Sequence, residues 1–223
     1  MDTTCVERAC HNAVTPFDII EAPSPALTRC NDTGRYKVSK KIFLKPRITK
    51  TLDGLVQETH VQEIYEHLMS PVYSCIGLSN HDDQFPFWVV RLSNEDVNNT
   101  PAFLKLWQII DEFICRGKYE PYHTLVNANN FGDCPMVHTD LPADRSDDCY
   151  TIIYYAHNNW DCNWSGETVI LNDARNEIIE SVYPRPGRIF VFDSALPHVA
   201  RAPTRICSQV RLTVAFRVKP KSA

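Results

Sequence analysis

The part of the chain after Tyr119 restricts the fold most, because it is a succession of short β-rich runs separated by turn residues. Clusters such as Asn129–Asp133 and Pro184–Gly187 contain the Asn, Asp, Gly and Pro residues that reverse a chain. About eight strands at this spacing are typical of an antiparallel barrel or jelly roll. We predict strands at His123–Asn127, Met136–Asp140, Cys149–His157, Glu167–Asn172, Glu177–Tyr183, Arg188–Asp193, His198–Ala202 and Val210–Val218.

The preceding part of the chain predicts two helices. Apolar residues recur at helical spacing in Thr51–Met69, and a Ser-Pro pair follows that ends a helix. A second helix begins at Pro101, a favoured first position, with Thr100 as its N-cap, and stops near Gly117.

Two further strands are expected, near Lys41–Leu44 and at Phe87–Leu92. The sequence thus predicts a mainly β, α+β protein with a jelly-roll or cupin-like barrel. Residues 1–118 would form an irregular arm and supporting helices packed on the barrel. Residues 119–223 would form the barrel itself, within one domain overall.

Composition excludes some partners. The 223 residues have a formal net charge of −4, so no broad basic surface for nucleic acid is expected. The longest apolar run, Ile152–Ala156, is far shorter than a membrane span. None of the nine cysteines forms a Cys-x-x-Cys pair, and no secretory signal is evident. We therefore expect a cytoplasmic protein with free thiols and no membrane partner.

Three residues predict a metal site. His138 and Asp140 are two apart on a predicted strand and share a face, and His198 follows the rigid Pro197. Two imidazoles and one carboxylate leave part of a metal open, which suits Fe(II) oxygen chemistry. A second His-x-Asp match, beginning at His81, lies in a polar loop and is rejected.

Arg211, thirteen residues after His198, predicts an anchor for a carboxylate. It shares a strand face with Thr213, while Val210, Leu212 and Val214 point towards the helices. A guanidinium directed into a barrel needs a carboxylate partner, and its forked geometry suits a bidentate one. Arg205 is the competing anchor, and Arg217 is a further alternative.

These segments resemble the prolyl-4-hydroxylase-like branch of the 2-oxoglutarate/Fe(II) oxygenases over about Tyr119 to Val218. The family's Gly-Gly-Glu segment has Ser165 in place of its first glycine. The distance of sixty residues from His138 to His198 is also similar. The other matching segments are His138-Thr139-Asp140, Cys149–Tyr155, Asn158–Asp161, Gly166-Glu167-Thr168, Pro184–Arg188 and Phe192-Asp193.

The resemblance implies a double-stranded β-helix that uses Fe(II), 2-oxoglutarate and O₂. His138, Asp140 and His198 would hold iron. Arg211 would bind the distal carboxylate of 2-oxoglutarate. Three residues would assist: Thr213, Tyr155 and Asn127, with Asn129 as the alternative to Asn127.

The outcome that the resemblance favours is hydroxylation of an unactivated C–H bond. The carboxylate of Asp140 stands where halogenating relatives have a small residue. We expect a polar small-molecule substrate, related to natural products or sugars. Substrate contacts would come from Trp88, Arg91, Arg145, Trp160 and Arg201, with Asp147, Trp164 and Arg205 as further candidates.

Several alternatives remain open at this stage. A protein prolyl hydroxylase would need an open groove, whereas a deep pocket closed by residues 80–92 would favour a small molecule. Oxidative cyclisation, desaturation or epimerisation could use the same iron chemistry. Outside the class, a zinc hydrolase or lyase, or a non-catalytic binding barrel, could retain the same three residues. The oligomeric state is not predicted.

Overall fold

The computed structural model describes residues 48–70, 73–141 and 148–221, which lie in one compact unit. The strand predicted near Lys41–Leu44 and the candidates Arg145 and Asp147 lie outside the described residues. No helix among those described is long and apolar enough to cross a membrane. Cys75, Cys115, Cys134, Cys162 and Cys207 are free thiols, as predicted.

The described residues form ten strands in two antiparallel sheets. The large sheet has the order β1-β8-β5-β10-β4-β3-β2, and the small sheet has the order β7-β6-β9. The strands are β1 Thr49–Leu52, β2 Ser74–Gly77, β3 Phe87–Leu92, β4 Tyr119–Asn129, β5 Tyr150–Tyr155, β6 Thr168–Leu171, β7 Ile178–Val182, β8 Ile189–Asp193, β9 His198–Ala200 and β10 Arg211–Pro220. The same part of the chain contains three α-helices, α1 Glu58–Leu68, α2 Asn94–Asn99 and α3 Pro101–Ile110, and a π-helical turn, Asp111–Cys115, extends α3.

The predicted fold class is confirmed: the protein is mainly β, with its two sheets arranged as a double-stranded β-helix. Among the described residues the sheets face each other as open layers rather than closing into a continuous barrel. Strands β1, β2 and β3, which precede residue 119, add to the large sheet. The division of the chain at 118 and 119 stays a prediction.

Three local predictions differ from the structure. The first helix begins at Glu58 rather than Thr51, because Thr49–Leu52 pairs with β8 at the sheet edge and Gly54 then turns with a positive φ. Met136–Asp140 forms a single bridge instead of a strand. The helix α2 was missed, although its capping box of Ser93 and Asp96 is visible in the sequence.

One face of the large sheet packs against the helices. Leu212 and Val214 of β10 are buried there, as predicted, and contact the same core as Ile64, Leu106 and Ile110 from the helices. The alternation along β10 therefore turns Arg211 and Thr213 to the opposite face. Burial of the helix face fixes which side chains β10 presents to the small sheet.

The second face of the large sheet packs against the small sheet. Tyr155, Phe190 and Ala215 form an apolar core with Ile170 and Val182 of the small sheet. This layer holds both the predicted metal residues and the predicted anchor. The candidate active site therefore lies between the two sheets.

Candidate active site

The two histidines are brought together by an antiparallel backbone bridge. The backbone N–H of His138 donates to the carbonyl of His198 at 3.0 Å, and that of His198 donates back at 2.9 Å. The backbone N–H of Asp140 donates to the carbonyl of Ser194 at 2.8 Å. One ligand atom from each of His138, Asp140 and His198 lies within 4.8 Å of the others.

Both imidazoles are oriented by backbone carbonyls. Nδ1 of His138 lies 2.9 Å from the carbonyl oxygen of Met136, and Nδ1 of His198 lies 2.9 Å from that of Leu196. Each Nδ1 therefore carries the proton and donates it, which leaves each Nε2 lone pair free. This second set of contacts holds metal-binding histidines in the required orientation.

Asp140 is almost fully buried among donors. Its Oδ2 accepts a hydrogen bond from the Thr151 hydroxyl at 2.9 Å, and its Oδ1 lies 2.5 Å from the guanidinium of Arg217. Burial alone would raise the pKa of Asp140, but the positive charge of Arg217 beside its Oδ1 holds it well below its usual value. The carboxylate is ionised and ready to bind a cation.

This donor set fits Fe(II). Two neutral imidazoles and one carboxylate form the facial arrangement used by non-haem iron oxygenases, with positions left open for other ligands. The rejected match at His81 is different, because the His81 side chain is exposed and the Asp83 carboxylate accepts hydrogen bonds from backbone N–H groups. Among the described residues, His138, Asp140 and His198 form the one cluster whose ligand atoms converge.

Arg211 is the largest fully buried side chain between the sheets and needs an anion. Its Nε donates to the carbonyl of Gly166 at 2.5 Å, and NH2 donates to the Thr168 hydroxyl at 2.9 Å. Its NH1 lies 3.5 Å from Oδ1 of Asn129. No carboxylate in the described part of the chain is ion-paired with it, and burial lowers its pKa. A dicarboxylate cosubstrate would supply the missing charge.

Thr168 completes this anchor and was not predicted as a site residue. Its hydroxyl oxygen accepts hydrogen bonds from both Arg211 and the Tyr155 hydroxyl, the latter at 2.7 Å. The Thr168 proton is therefore left to donate elsewhere, and a bound carboxylate is a suitable acceptor. Its position directly after Gly166-Glu167 in the matching segment was the available signal.

The other predicted cosubstrate residues surround Arg211. Thr213 is paired with Asn127 on one side and with Tyr155 on the other, so these side chains form a row across three strands. The Tyr155 ring lies 5.6 Å from the Arg211 guanidinium carbon. Asn127 has a buried side-chain oxygen without a partner in the described part of the structure. Asn129, the alternative, is the one that contacts Arg211.

Trp160 and Arg211 both pack against Gly166. A Cβ added at Gly166 would lie 3.0 Å from the Trp160 ring and 3.3 Å from the Arg211 side chain, so only glycine fits between them. The Trp160 ring also lies against His157, with centroids 4.2 Å apart. Burial, assisted by the charge of Arg211, holds the pKa of His157 well below its usual value, so no second cation stands beside the anchor.

Ser165 is strained where the family has glycine. Its φ of 56° and ψ of −138° lie in a region that side chains rarely adopt, and its carbonyl accepts a hydrogen bond from the Trp160 indole. We expect Ser165→Gly to raise the free energy of unfolding by about 1 kcal/mol, because this strain is removed. Urea denaturation measures the change. Ser208→Gly, at an exposed site without a positive φ, should give no gain. If Ser165→Gly and Ser208→Gly change the free energy of unfolding equally, the backbone of Ser165 is not strained.

The structure corrects one predicted substrate contact. Trp88 lies on the helix face of the large sheet, where it lines a surface cavity with Leu68 and Leu212. It therefore cannot contact a substrate at the metal cluster. Trp88 and Arg91 lie on opposite faces of β3, and the sequence of Phe87–Leu92 does not show which face meets the site.

The remaining substrate candidates occupy different places. Arg91 is exposed on the site face of β3, opposite Leu125. Arg201 and Arg205 are exposed after β9, so Arg205 does not provide a buried anchor. Trp160 packs behind the anchor, edge-to-face with Trp164.

Comparison with known proteins agrees with this geometry. Residues 125–217 match the family model described as the 2OG-Fe(II) oxygenase superfamily. No curated protein matches the chain.

Solved structures with a similar fold include three oxygenases. A Trichoplax adhaerens prolyl hydroxylase, solved with a hypoxia inducible factor peptide fragment, is 18% identical with a TM-score of 0.58, covering 76% of this chain and 82% of the other. A Pseudomonas putida prolyl-4-hydroxylase is 13% identical with a TM-score of 0.56, covering 79% and 95%. A Burkholderia pseudomallei oxidoreductase of the 2OG-Fe(II) oxygenase family is 15% identical with a TM-score of 0.53, covering 77% and 85%.

The fold, the His–Asp–His cluster and the family match over residues 125–217 together support one class of protein, the 2-oxoglutarate-dependent non-haem iron oxygenases. Its fold is similar to that of the two prolyl hydroxylases. That family uses Fe(II), 2-oxoglutarate and O₂, and the His–Asp–His cluster fits the metal.

Proposed function

We propose that His138, Asp140 and His198 hold the iron and that Arg211 binds the distal carboxylate of 2-oxoglutarate. The observation that carries this assignment is the buried Arg211, which has no carboxylate partner among the described residues and shares a sheet face with the metal cluster. Thr168 and Tyr155 hold the guanidinium side of this pocket through their hydrogen bonds. Thr213, Asn127 and Asn129 line it.

The bound iron would supply the oxidising power for attack on an unactivated C–H bond, and the protein would supply orientation and exclusion of side reactions. Asp140 would occupy a coordination position with its ionised carboxylate. Hydroxylation is therefore the proposed outcome, with cyclisation, desaturation and epimerisation as variants of the same reaction. A zinc hydrolase would not need a buried guanidinium, so that alternative does not explain Arg211.

We propose a polar small molecule as the substrate. The support is the set of charged side chains on the open side of the metal cluster, among which Arg91 is exposed and Arg217 is partly exposed. A cytoplasmic location remains a prediction.

A protein prolyl hydroxylase is the second candidate. Two of the structurally similar proteins are prolyl hydroxylases, and one of them was solved with a peptide. Exposed apolar side chains also precede His138 in the chain, at Phe131 and Met136. Incubation with 2-oxoglutarate and either prolyl peptides or small metabolites, followed by mass spectrometry, would separate the two. The true substrate gains one oxygen atom only when Fe(II) is present.

The first test is anaerobic titration of the protein with Fe(II) and 2-oxoglutarate. We expect the weak visible charge-transfer band of chelated 2-oxoglutarate in the wild type and no band in His198→Ala. Circular dichroism of both proteins would show that the variant is folded. Bound metal without a band in the wild type would contradict the proposed function.

A further inference from the structure

On the basis of the proposed function, we infer that the substrate carries a carboxylate or phosphate group that binds to Arg91, His123 and Arg217. These three residues are called the basic cluster below. The inference narrows the proposed polar small molecule to an anionic one. It is supported by the position of the three side chains, by their solvent exposure and by the hydrogen-bond donors that they offer.

The basic cluster lies on one face of three adjacent strands. Arg91 of β3 is paired with Leu125 of β4, which packs into the core between the sheets. His123 is two residues before Leu125 and therefore shares its face. It is paired in turn with Arg217 of β10, and its Nδ1 lies 3.2 Å from NH1 of Arg217.

The cluster is on the side of the metal centre away from the cosubstrate anchor. Arg217 and Arg211 lie on the same face of β10, six residues apart, and Arg217 contacts the metal-binding carboxylate of Asp140. Arg211 is 1% exposed, whereas the Arg217 side chain is 24% exposed and Arg91 is exposed. The buried end holds the cosubstrate, so the open end is left for the substrate.

Each member of the cluster offers donors to a ligand. A guanidinium only donates, so Nδ1 of His123 must accept from Arg217, and Nε2 then carries the proton. Burial, with the charges of Arg217 and Arg91, lowers the pKa of His123, which keeps the ring neutral. Two fixed cations and one N–H donor are the groups that bind carboxylate and phosphate oxygens.

The described acidic residues neutralise this cluster only in part. Arg91 forms no ion pair with any acid in residues 48–70, 73–141 and 148–221. Arg217 is paired with Asp140, whose carboxylate is also needed by the metal. An anionic group on the substrate would restore the charge balance and fix the distance of the reacting carbon from the iron.

The test adds small molecules to the anaerobic wild-type complex with Fe(II) and 2-oxoglutarate, and follows the charge-transfer band. The molecules come in matched pairs, an amino acid with its amide and a sugar phosphate with its free sugar. We expect the anionic member of at least one pair to perturb the band at an about tenfold lower concentration than its neutral partner. The two kinds of pair distinguish carboxylate from phosphate.

Variants then assign the effect to the cluster. Arg91→Gln should weaken binding of the preferred anion about tenfold, and Arg91→Lys should recover part of the loss. Lys105→Gln removes the same charge from the exposed surface of α3 on the helix side of the sheet and should behave as the wild type.

The outcomes separate the inference from the proposed function. If no anionic member perturbs the band at a lower concentration than its neutral partner, the inference is wrong. It is also wrong if Arg91→Gln binds the anion as tightly as the wild type does. If the wild type gives no band before any molecule is added, the proposed function fails instead.

Discussion

Replacing Arg211 with methionine is expected to weaken 2-oxoglutarate binding on the order of 10- to 100-fold, the value of a bidentate charged contact. Methionine preserves length and apolar volume but removes the fork that would hold the distal carboxylate. The Kd is measured by anaerobic titration of the charge-transfer band. The effect should appear in the affinity for 2-oxoglutarate and not in the affinity for the metal.

The stability of Arg211→Met gives a second, independent result. A buried cation without an anionic partner is costly, so the variant should unfold at a temperature no lower than the wild type when 2-oxoglutarate is absent. Adding 2-oxoglutarate should then stabilise only the wild type. A large loss of stability without 2-oxoglutarate would show that Arg211 is a structural residue.

Arg188 offers a matched control for Arg211. Its guanidinium forms a bidentate pair with Asp53, with Nε–Oδ1 and NH2–Oδ2 distances of 2.8 and 2.9 Å, at the edge of the large sheet. Arg188→Met should lower stability modestly and leave the 2-oxoglutarate Kd unchanged. Equal loss of 2-oxoglutarate binding in both variants would contradict the assignment of the anchor. Thr168→Val, like Arg211→Met, should weaken the binding of 2-oxoglutarate.

Replacing Asp140 with alanine is expected to abolish Fe(II)-dependent turnover and to reduce Fe(II) affinity by at least about 100-fold, more than the loss of a supporting contact. The variant removes the only anion of the proposed ligand set. It also leaves the Arg217 guanidinium, now without its partner at 2.5 Å, close to where the metal binds. Metal content after dialysis, with turnover of 2-oxoglutarate, measures the effect.

Asp83 is the control for Asp140, because it belongs to the second His-x-Asp match. Its carboxylate is buried, but it accepts hydrogen bonds from the backbone N–H groups of Ser79 and Phe85 in a loop. Asp83→Ala should loosen that loop and retain Fe(II) binding within a few-fold. Full activity of Asp140→Ala, or an equal loss of metal in Asp83→Ala, would contradict the proposed ligand set.

Periodicity predicted the β-rich second half because a strand buried on both faces needs a nearly continuous apolar run, and turns need Gly, Pro and Asn. The boundary of α1 was wrong because Thr51 pairs with Phe190 in a neighbouring strand, a contact of long sequence separation. The prediction of a strand at Met136–Asp140 was wrong for a related reason. Within the described residues His138 forms one bridge, to His198, and the Asp140 backbone N–H donates to Ser194, so no continuous ladder forms.

The sequence by itself predicted the class of chemistry, because His138, Asp140 and His198 are metal-binding residue types and Arg211 adds a cation on a strand face. It also determined which face of β10 carries Arg211, since alternation is a local property of a strand. Only the tertiary structure decided that Trp88 faces the helices, that Thr168 connects Tyr155 with Arg211, and that Arg217 contacts Asp140. Each of these three contacts depends on pairing between strands that are distant in sequence. The free energy of that pairing comes from burial of side chains against each other, which a local sequence pattern does not show.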